Sequence, residues 1–371
     1  MSTDRMGVDG MDTDRVAARP TGADGMSTDR AGADGAGAER ADTASTSVSR
    51  MSTDGMSVDG AGADGAITER TSASRVGTHR TAAHGTATHR TGPLRMAAVS
   101  AEFGRDLEED FAVVERLIKE ARAEGVGLLA LPEACLGGYL LSLDDSASDE
   151  GPPALALDGP EIRRLASLAG DLTVIAGYCE ADGDARYNSV VCVNGDGVLG
   201  NHRKVHQPLS EDVSYASGDR FHAFDTPVGR IGMMICYDKA FPESARALAL
   251  DGAEIGVCVS AWPGARTHAT TDLVNDRWKR RFDLFDRARA LENQIVWISA
   301  NQAGTFGSLR FVGSAKVVDP GGEILADTGV GSGLAIAELD VTQALETARR
   351  SMGHLRDRRP ETYTHAGAVS P

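Results

Sequence analysis

Three side chains in this chain have the types needed to open an amide or nitrile carbon: Glu133, Lys204 and Cys236. Such a carbon is a poor electrophile. Attack on it requires a strong nucleophile, a base to ionise that nucleophile, and positive charge for the developing oxyanion or imidate. A cysteine thiolate is intrinsically very nucleophilic. A carboxylate shielded from water has a raised pKa, so it can take the thiol proton and later hand it to departing ammonia. A fixed ammonium both lowers the thiol pKa and stabilises the tetrahedral intermediate.

These residues are far apart in the chain, so the elements around them must bring them together. In RIGMMICYDKAFPE, the run Ile231, Met233, Met234 and Ile235 predicts a strand buried on both faces, with Cys236 at its end. Pro242 then opens a predicted helix through Asp251. Leu128 to Leu131 predicts a short strand followed at once by Pro132-Glu133, and Val198 to Lys204 a strand that delivers HRKVHQP. All three residues therefore fall at or just past strand ends, where open α/β sheets bind ligands. Each also has an ordinary reading, as a core cysteine or a surface carboxylate.

The remaining elements form a layered pattern. Leu94 to Ala101 reads as a strand and Asp106 to Glu124 as a helix with Phe111, Val114, Leu117, Ile118 and Ala121 on one face, ended by Gly125. This β-α-β opening implies parallel strands with a crossover helix. A helix over 159–168 precedes strands over 172–179, 187–193 and 198–204, which the ADGD and NGDG turns make antiparallel hairpins. Residues 210–230 read as a turn-rich loop. Strands over 255–260 and 295–300 flank an amphipathic, charged helix over 276–292, and short strands over 316–319, 322–326 and 334–339 follow. The fold class expected is α/β, with helices covering sheet faces.

Composition narrows the function. The 371 residues carry a formal net charge of −16, and no dense basic block precedes the C-terminal tail, which speaks against nucleic acid as partner. No apolar run approaches ~18 residues, so no membrane helix is expected. The N-terminus lacks a signal-peptide pattern. Cys135, Cys179, Cys192, Cys236 and Cys258 are odd in number and without paired spacing, which points to reduced thiols in a cytoplasm.

Residues 1–93 are set apart as a low-complexity extension. Cut in fives, they read MSTDR MGVDG MDTDR VAARP, with nearly every fifth residue Arg or Gly and no aromatic. Such a segment cannot bury enough surface to offset its ordering entropy and is expected to be disordered. Met96 lies inside the first strand candidate, which suggests a translation start there and a repeat that is spurious or dispensable.

Within an expected domain over 94–371 that includes a C-terminal tail, residues 94 to about 365 resemble the nitrilase superfamily of carbon–nitrogen hydrolases, in its amidase-like branch. LLALPEACLGGY resembles the family's glutamate segment, HRKVHQP its lysine segment and GRIGMMICYDKAFPESARALALDGAEI its cysteine segment, in the family's order. EDVSYASGD resembles a loop with a second glutamate, here Glu211; RARALENQIVWISANQAG and HLRDRRPETY are similar to further family segments. The resemblance implies a four-layer α-β-β-α sandwich of the nitrilase type, a homodimer or higher homo-oligomer, and no metal or organic cofactor. It implies Glu133 as general base and acid, Lys204 as the oxyanion-stabilising cation, and Cys236 as the nucleophile that forms a thioester. Glu211 would position substrate or lysine, and the Tyr237 backbone N–H would be a second oxyanion donor. Nitrile-cleaving members typically carry Cys-Trp-Glu, whereas this chain has Cys236-Tyr237-Asp238, similar to amidase and carbamoyl-amide members. Gln207 stands where a small aliphatic is common.

The expectation is thus an amidase acting on a small linear carboxamide or N-carbamoyl amine; a nitrilase and a non-catalytic binding member are the rivals. Other candidates are weaker. His202 and His206 lack a third zinc ligand, and His206 or His222 as base competes poorly with the strand-end Glu133. Cys135, Cys179, Cys192 and Cys258 read as packing residues. Trp262 is a candidate pocket wall, and Arg266 either a partner for a substrate carboxylate or an exposed arginine. The arginine-rich tail reads as a dimer or surface element.

Overall fold

A computed structural model of the chain describes residues 92–144 and 150–363. The repeat expected to be disordered lies, through residue 91, outside the described residues, as do 364–371. In chain order the elements are β1 (Leu94–Ala101), α1 (Leu107–Ala123), β2 (Leu128–Ala130), β3 (Leu155–Ala156), α2 (Pro160–Ala169), β4 (Thr173–Asp182), β5 (Ala185–Asn194), β6 (Gly197–Arg203), β7 (Ala223–Thr226), β8 (Gly229–Ile235) and α3 (Pro242–Leu250). Then come β9 (Ile255–Ser260), α4 (Arg277–Asn293), β10 (Val296–Gln302), the small hairpin β11 (Thr305–Phe306) and β12 (Leu309–Arg310), β13 (Lys316–Val318), β14 (Ile324–Asp327), β15 (Gly333–Leu339) and α5 (Val341–Ser351).

The hydrogen-bonded path runs β6-β5-β4-β2-β1-β10-β9-β8-β7. Its six inner strands are parallel, and β5, β6 and β7 extend it antiparallel at the two ends. At the centre, β1 and β10 pair only through Ser100 with Asn301 and Ala101 with Gln302. Upstream of that point β1 pairs with β15 and β10 with β13. The path therefore opens into two facing halves joined at the carboxyl ends of their strands.

The apolar runs are continuous because each central strand is buried on both faces. In β1, Leu94, Met96 and Ala98 face the layer between the halves, where they join Ile231, Val257 and Ile298. Ala97, Val99 and Ala101 face outward onto α1 and α2, with Phe111, Ile118 and Leu165. The period of two along the strand dictates this division. On the other half, Met234 and Trp297 face outward onto Leu248 of α3 and Ala290 of α4. The layers are α-β-β-α, as the resemblance implied. Among the described residues, no helix is long and apolar enough to cross a membrane.

Three features depart from the sequence reading. The loop over 210–230 contains β7 and a 3₁₀ turn, Glu211–Val213. The C-terminal part forms helix α5, with Arg349 and Arg350 in its last turn. Helix α4 is not apolar on its inner face: Asp286, Arg289 and Asn293 are buried there beside Phe282 and Ala290. Asp286 accepts hydrogen bonds from Lys239 (2.8 Å) and Lys316 (3.2 Å), and both ammonium groups lie over the Phe282 ring. Arg289 donates to the Lys239 carbonyl at 2.8 Å. Buried charges paired in this way tie α4 to the turn that follows Cys236.

Candidate active site

Glu133 is placed by a turn between β2 and a close-packed segment. The backbone turns at Ala134 with φ +52°, while Glu133 N donates to the Ser260 carbonyl at 3.3 Å and its own carbonyl accepts from Gln302 Nε2 at 3.1 Å. The turn is clipped to α1 by Asp110, which accepts from Gly104 N (3.0 Å) and Gly137 N (2.7 Å). Burial pushes the Asp110 carboxyl up to about 6, against those hydrogen bonds.

The Glu133 side chain is fully buried. Its Oε1 accepts from Asn188 Nδ2 at 2.7 Å and Lys204 Nζ at 2.8 Å, and its Oε2 accepts from Ala261 N at 2.5 Å. Lys204 directly follows β6, held by its backbone N–H on the Asn188 carbonyl at 2.8 Å. Its ammonium also reaches Glu211, 3.0 Å from Oε1 and 2.7 Å from Oε2. Glu211 Oε1 further accepts from Asn188 Nδ2 (2.7 Å) and Tyr139 Oη (3.1 Å).

Cys236 opens the 3₁₀ turn Cys236–Ala240 that follows β8. Its φ of +49° is left-handed, a conformation that costs a non-glycine residue on the order of 1–3 kcal/mol and that clusters at functional sites. Asp238 holds this turn. It accepts from Ile235 N (3.1 Å) and His206 N (2.9 Å), and it pairs with His206 Nδ1 at 2.8 Å and His202 Nε2 at 3.4 Å. Burial would raise the Asp238 carboxyl, but the hydrogen bonds from the two histidines outweigh it and hold it near about 2. His202 and His206 therefore tie the lysine segment to the cysteine turn, which explains their spacing without zinc. Among the described residues, no cluster of three His, Cys, Asp or Glu is arranged to hold a metal ion. His222 lines a separate cavity.

Electrostatically the three residues form one unit. Burial pushes the Cys236 thiol well above its usual range, the Glu133 carboxylate adds to this, and Lys204 opposes it. For Lys204 burial would favour the neutral amine, yet Glu133 and Glu211 overcome it and raise its pKa. Burial raises the Glu211 carboxyl, against the pull of Lys204. Cys236 and Lys204 thus each have their ionisation set by burial and by the charges of the same cluster.

A cavity of about 500 Å³ opens onto Cys236, with Tyr139, Tyr237 and Trp262 in its wall. Trp262 is fixed by its backbone N–H on Asn301 Oδ1 (2.7 Å) and by its Nε1 on the Trp278 carbonyl (3.1 Å). Tyr237 is half-buried, its ring edge-on to Phe241. The other four cysteines are buried and lack disulfide partners, and burial raises each of their thiols. Arg266 is neither exposed nor free for a substrate, because it is half-buried and paired with Asp144.

Asn188, Tyr139 and Gln302 were not singled out from the sequence. Asn188 bridges Glu133 and Glu211, and its only sequence signal is an amide inside the ten-residue strand β5.

Comparison with known proteins adds an independent line. The family model described as carbon-nitrogen hydrolase matches residues 95–349. The chain is 31% identical over 261 residues to a protein of Pyrococcus abyssi named nitrilase, covering 69% of this chain and 93% of that one. It is 30% identical over 277 residues to N-carbamoylputrescine amidase of Arabidopsis thaliana, covering 70% and 90%. Its fold is similar to the crystal structure of a carbon-nitrogen hydrolase from Helicobacter pylori, with TM-score 0.63 and 26% identity over 73% of this chain and 97% of that one.

Proposed function

Since the chain belongs to the carbon–nitrogen hydrolase family, also called the nitrilase superfamily, we propose that it hydrolyses a small carboxamide or N-carbamoyl amine to an acid plus ammonia. Cys236 is the nucleophile, Glu133 the general base and acid, and Lys204 the oxyanion-stabilising cation. Glu133 takes the Sγ proton as sulfur bonds to the carbonyl carbon, and the carbonyl oxygen becomes an oxyanion facing the Lys204 ammonium and the Tyr237 backbone N–H. Collapse breaks the C–N bond. The nitrogen takes the proton held on Glu133 and leaves as ammonia, and the acyl group stays on sulfur as a thioester. Water then gives a proton to Glu133 and adds to the thioester carbon; collapse expels the sulfur, which recovers that proton, and the acid departs.

One observation carries this reading: the Glu133 carboxyl and the Lys204 ammonium, 2.8 Å apart, both lie near enough to Cys236 for their charges to act on its thiol, which burial pushes up. Such a thiol needs a base at hand, and a fixed cation makes the base effective only toward a developing anion. Glu211 and Asn188 hold the lysine and the glutamate in register. The relative named N-carbamoylputrescine amidase favours an amide or carbamoyl substrate, as does Tyr237-Asp238 after the cysteine. The relative named nitrilase supports a second reading, the same thioester chemistry on a nitrile. The assembly that goes with this reading is a homodimer or higher homo-oligomer.

Ammonia release from paired amides, carbamoyl amines and nitriles tests it. Wild-type protein is expected to act on amides, with Cys236→Ala and Glu133→Gln folded but slower by at least about 10²–10⁴-fold. One cysteine of the five should be alkylated fastest and be protected by substrate. Full turnover by Cys236→Ala would overturn the nucleophile assignment.

A further inference from the structure

The cavity above Cys236 is walled on one side by α4, which presents Trp278, Arg281 and Phe285 to it. The spacings i, i+3 and i+7 put all three on one helix face, so a guanidinium stands between two aromatic rings. Trp262 packs against Phe285 on the same side, and Tyr237 also lines the cavity. The wall is thus predominantly apolar, with one cation set into it.

The neighbouring cations have been allotted partners. Lys279 is paired with Asp283 at 2.7 Å, Arg277 donates to the Thr267 carbonyl at 2.6 Å, and Arg280 donates to the Asn275 carbonyl at 2.7 Å. Arg266 is taken by Asp144 and Lys204 by the two glutamates. Arg281 is exposed and, among the described residues, its guanidinium has neither an ion pair nor a hydrogen bond. In a chain of net charge −16, an uncommitted arginine in the wall of the reaction cavity is a feature that solubility does not require.

We propose that Arg281 is a specificity-determining residue that binds a carboxylate at the far end of the substrate, so that the preferred substrates are ω-carboxy amides or carbamoyl acids with an apolar spacer. This rests on the hydrolase reading above. The reacting amide lies against Cys236, the spacer lies along the aromatic wall, and the carboxylate meets the guanidinium in a charge-assisted, bidentate pair. A neutral amide of equal length forfeits that pair, and an ammonium-ended one places like charge against Arg281. Arg281 touches no reacting atom, so its effect falls on KM and on discrimination, with kcat little changed.

The test compares a ladder of ω-carboxy primary amides with their methyl esters and with ω-ammonium amides of matched length. The wild-type protein is expected to show a kcat/KM for the best carboxylate about tenfold or more above its ester, a factor worth about 1.4 kcal/mol, and the advantage should shrink as salt is added. Arg281→Gln should raise KM for the carboxylate by about tenfold and leave the ester unchanged. Arg281→Lys should recover part of the loss, and Arg281→Glu should turn the preference toward the ammonium series. Binding of the same ladder to Cys236→Ala, followed by tryptophan fluorescence from the Trp262 and Trp278 wall, reads the preference without turnover. Absence of ammonia from every amide would sink the hydrolase reading while the binding ladder still scored Arg281. A carboxylate-to-ester ratio near one in the wild type, or one that Arg281→Gln leaves unaltered, would overturn the proposal.

Discussion

Every acceptor on the Glu133 carboxylate faces a fixed donor: Asn188 and Lys204 on one oxygen, the Ala261 backbone on the other. A side chain bound on both oxygens cannot rotate away when substrate leaves, so the base stays aimed at its working position. The segment that carries it depends in turn on Asp110, whose carboxyl burial raises to about 6. The sign of the consequence follows from linkage. An aspartate raised above its unfolded value of about 3.8 binds its proton more tightly when folded. Its favourable contribution is complete below about pH 4 and is lost as pH rises through about 6. Denaturant titrations of wild type and Asp110→Asn across pH 4–7 should therefore show a stability difference that moves against the wild type over this window and levels off above it. A pH-independent difference would mean that Asp110 is ionised throughout. Glu133, Lys204 and Cys236 were legible as candidates because each ends a readable strand. Asn188 was not, because it acts through two residues 55 and 23 positions away and leaves no local pattern.

At the scale of elements, β4 must pass very close to the glutamate turn. A Cβ on Gly177 would lie 2.5 Å from Ala134 N and 2.6 Å from Glu133 Cα. Gly177 also donates its N–H to the Pro132 carbonyl and accepts from Leu136 N, both at 3.2 Å. Gly177→Ala thus forces strand and turn apart at the base. The expected result is a folded protein destabilised by about 1–3 kcal/mol, with kcat reduced on the order of 10²-fold because a misplacement near 1 Å suffices. Urea unfolding and ammonia release, measured on one preparation, separate the two effects; unchanged kcat would show that the turn absorbs the methyl group elsewhere. The same physics explains which elements could be read in advance. β1 and β9 are buried on both faces and stand out as apolar runs of strand length. β7 is four residues long at an end of the sheet path and includes the exposed Asp225, so it looks like its flanking loop. α5 buries Leu345 but little else and offers only a thin apolar stripe. In α4 the inner face is charged, and pairing with Lys239 and Lys316 from distant segments is what makes it a core face.

For the whole molecule, the question is where the folded unit begins. The sequence reading places the first strand from Leu94 and a translation start near Met96; β1 is paired at Leu94, opposite Leu339, and at Arg95, opposite Glu338. Leu94 is buried in the layer between the two halves of the sheet, and the Arg95 carbonyl accepts from Gly127 N at 2.8 Å. The Arg95–Glu338 ion pair is largely exposed and adds little. A polypeptide starting at Met96 would lose the Leu94 side chain, worth about 1.5–3 kcal/mol, and one backbone acceptor. It would also set a free ammonium on a residue with 0% exposure, which is costly without a partner. A protein spanning 96–371 is therefore expected to unfold at a distinctly lower midpoint than one spanning 94–371, with m-values alike. Equal midpoints for the two truncated forms would show that the strand tolerates an end at Met96.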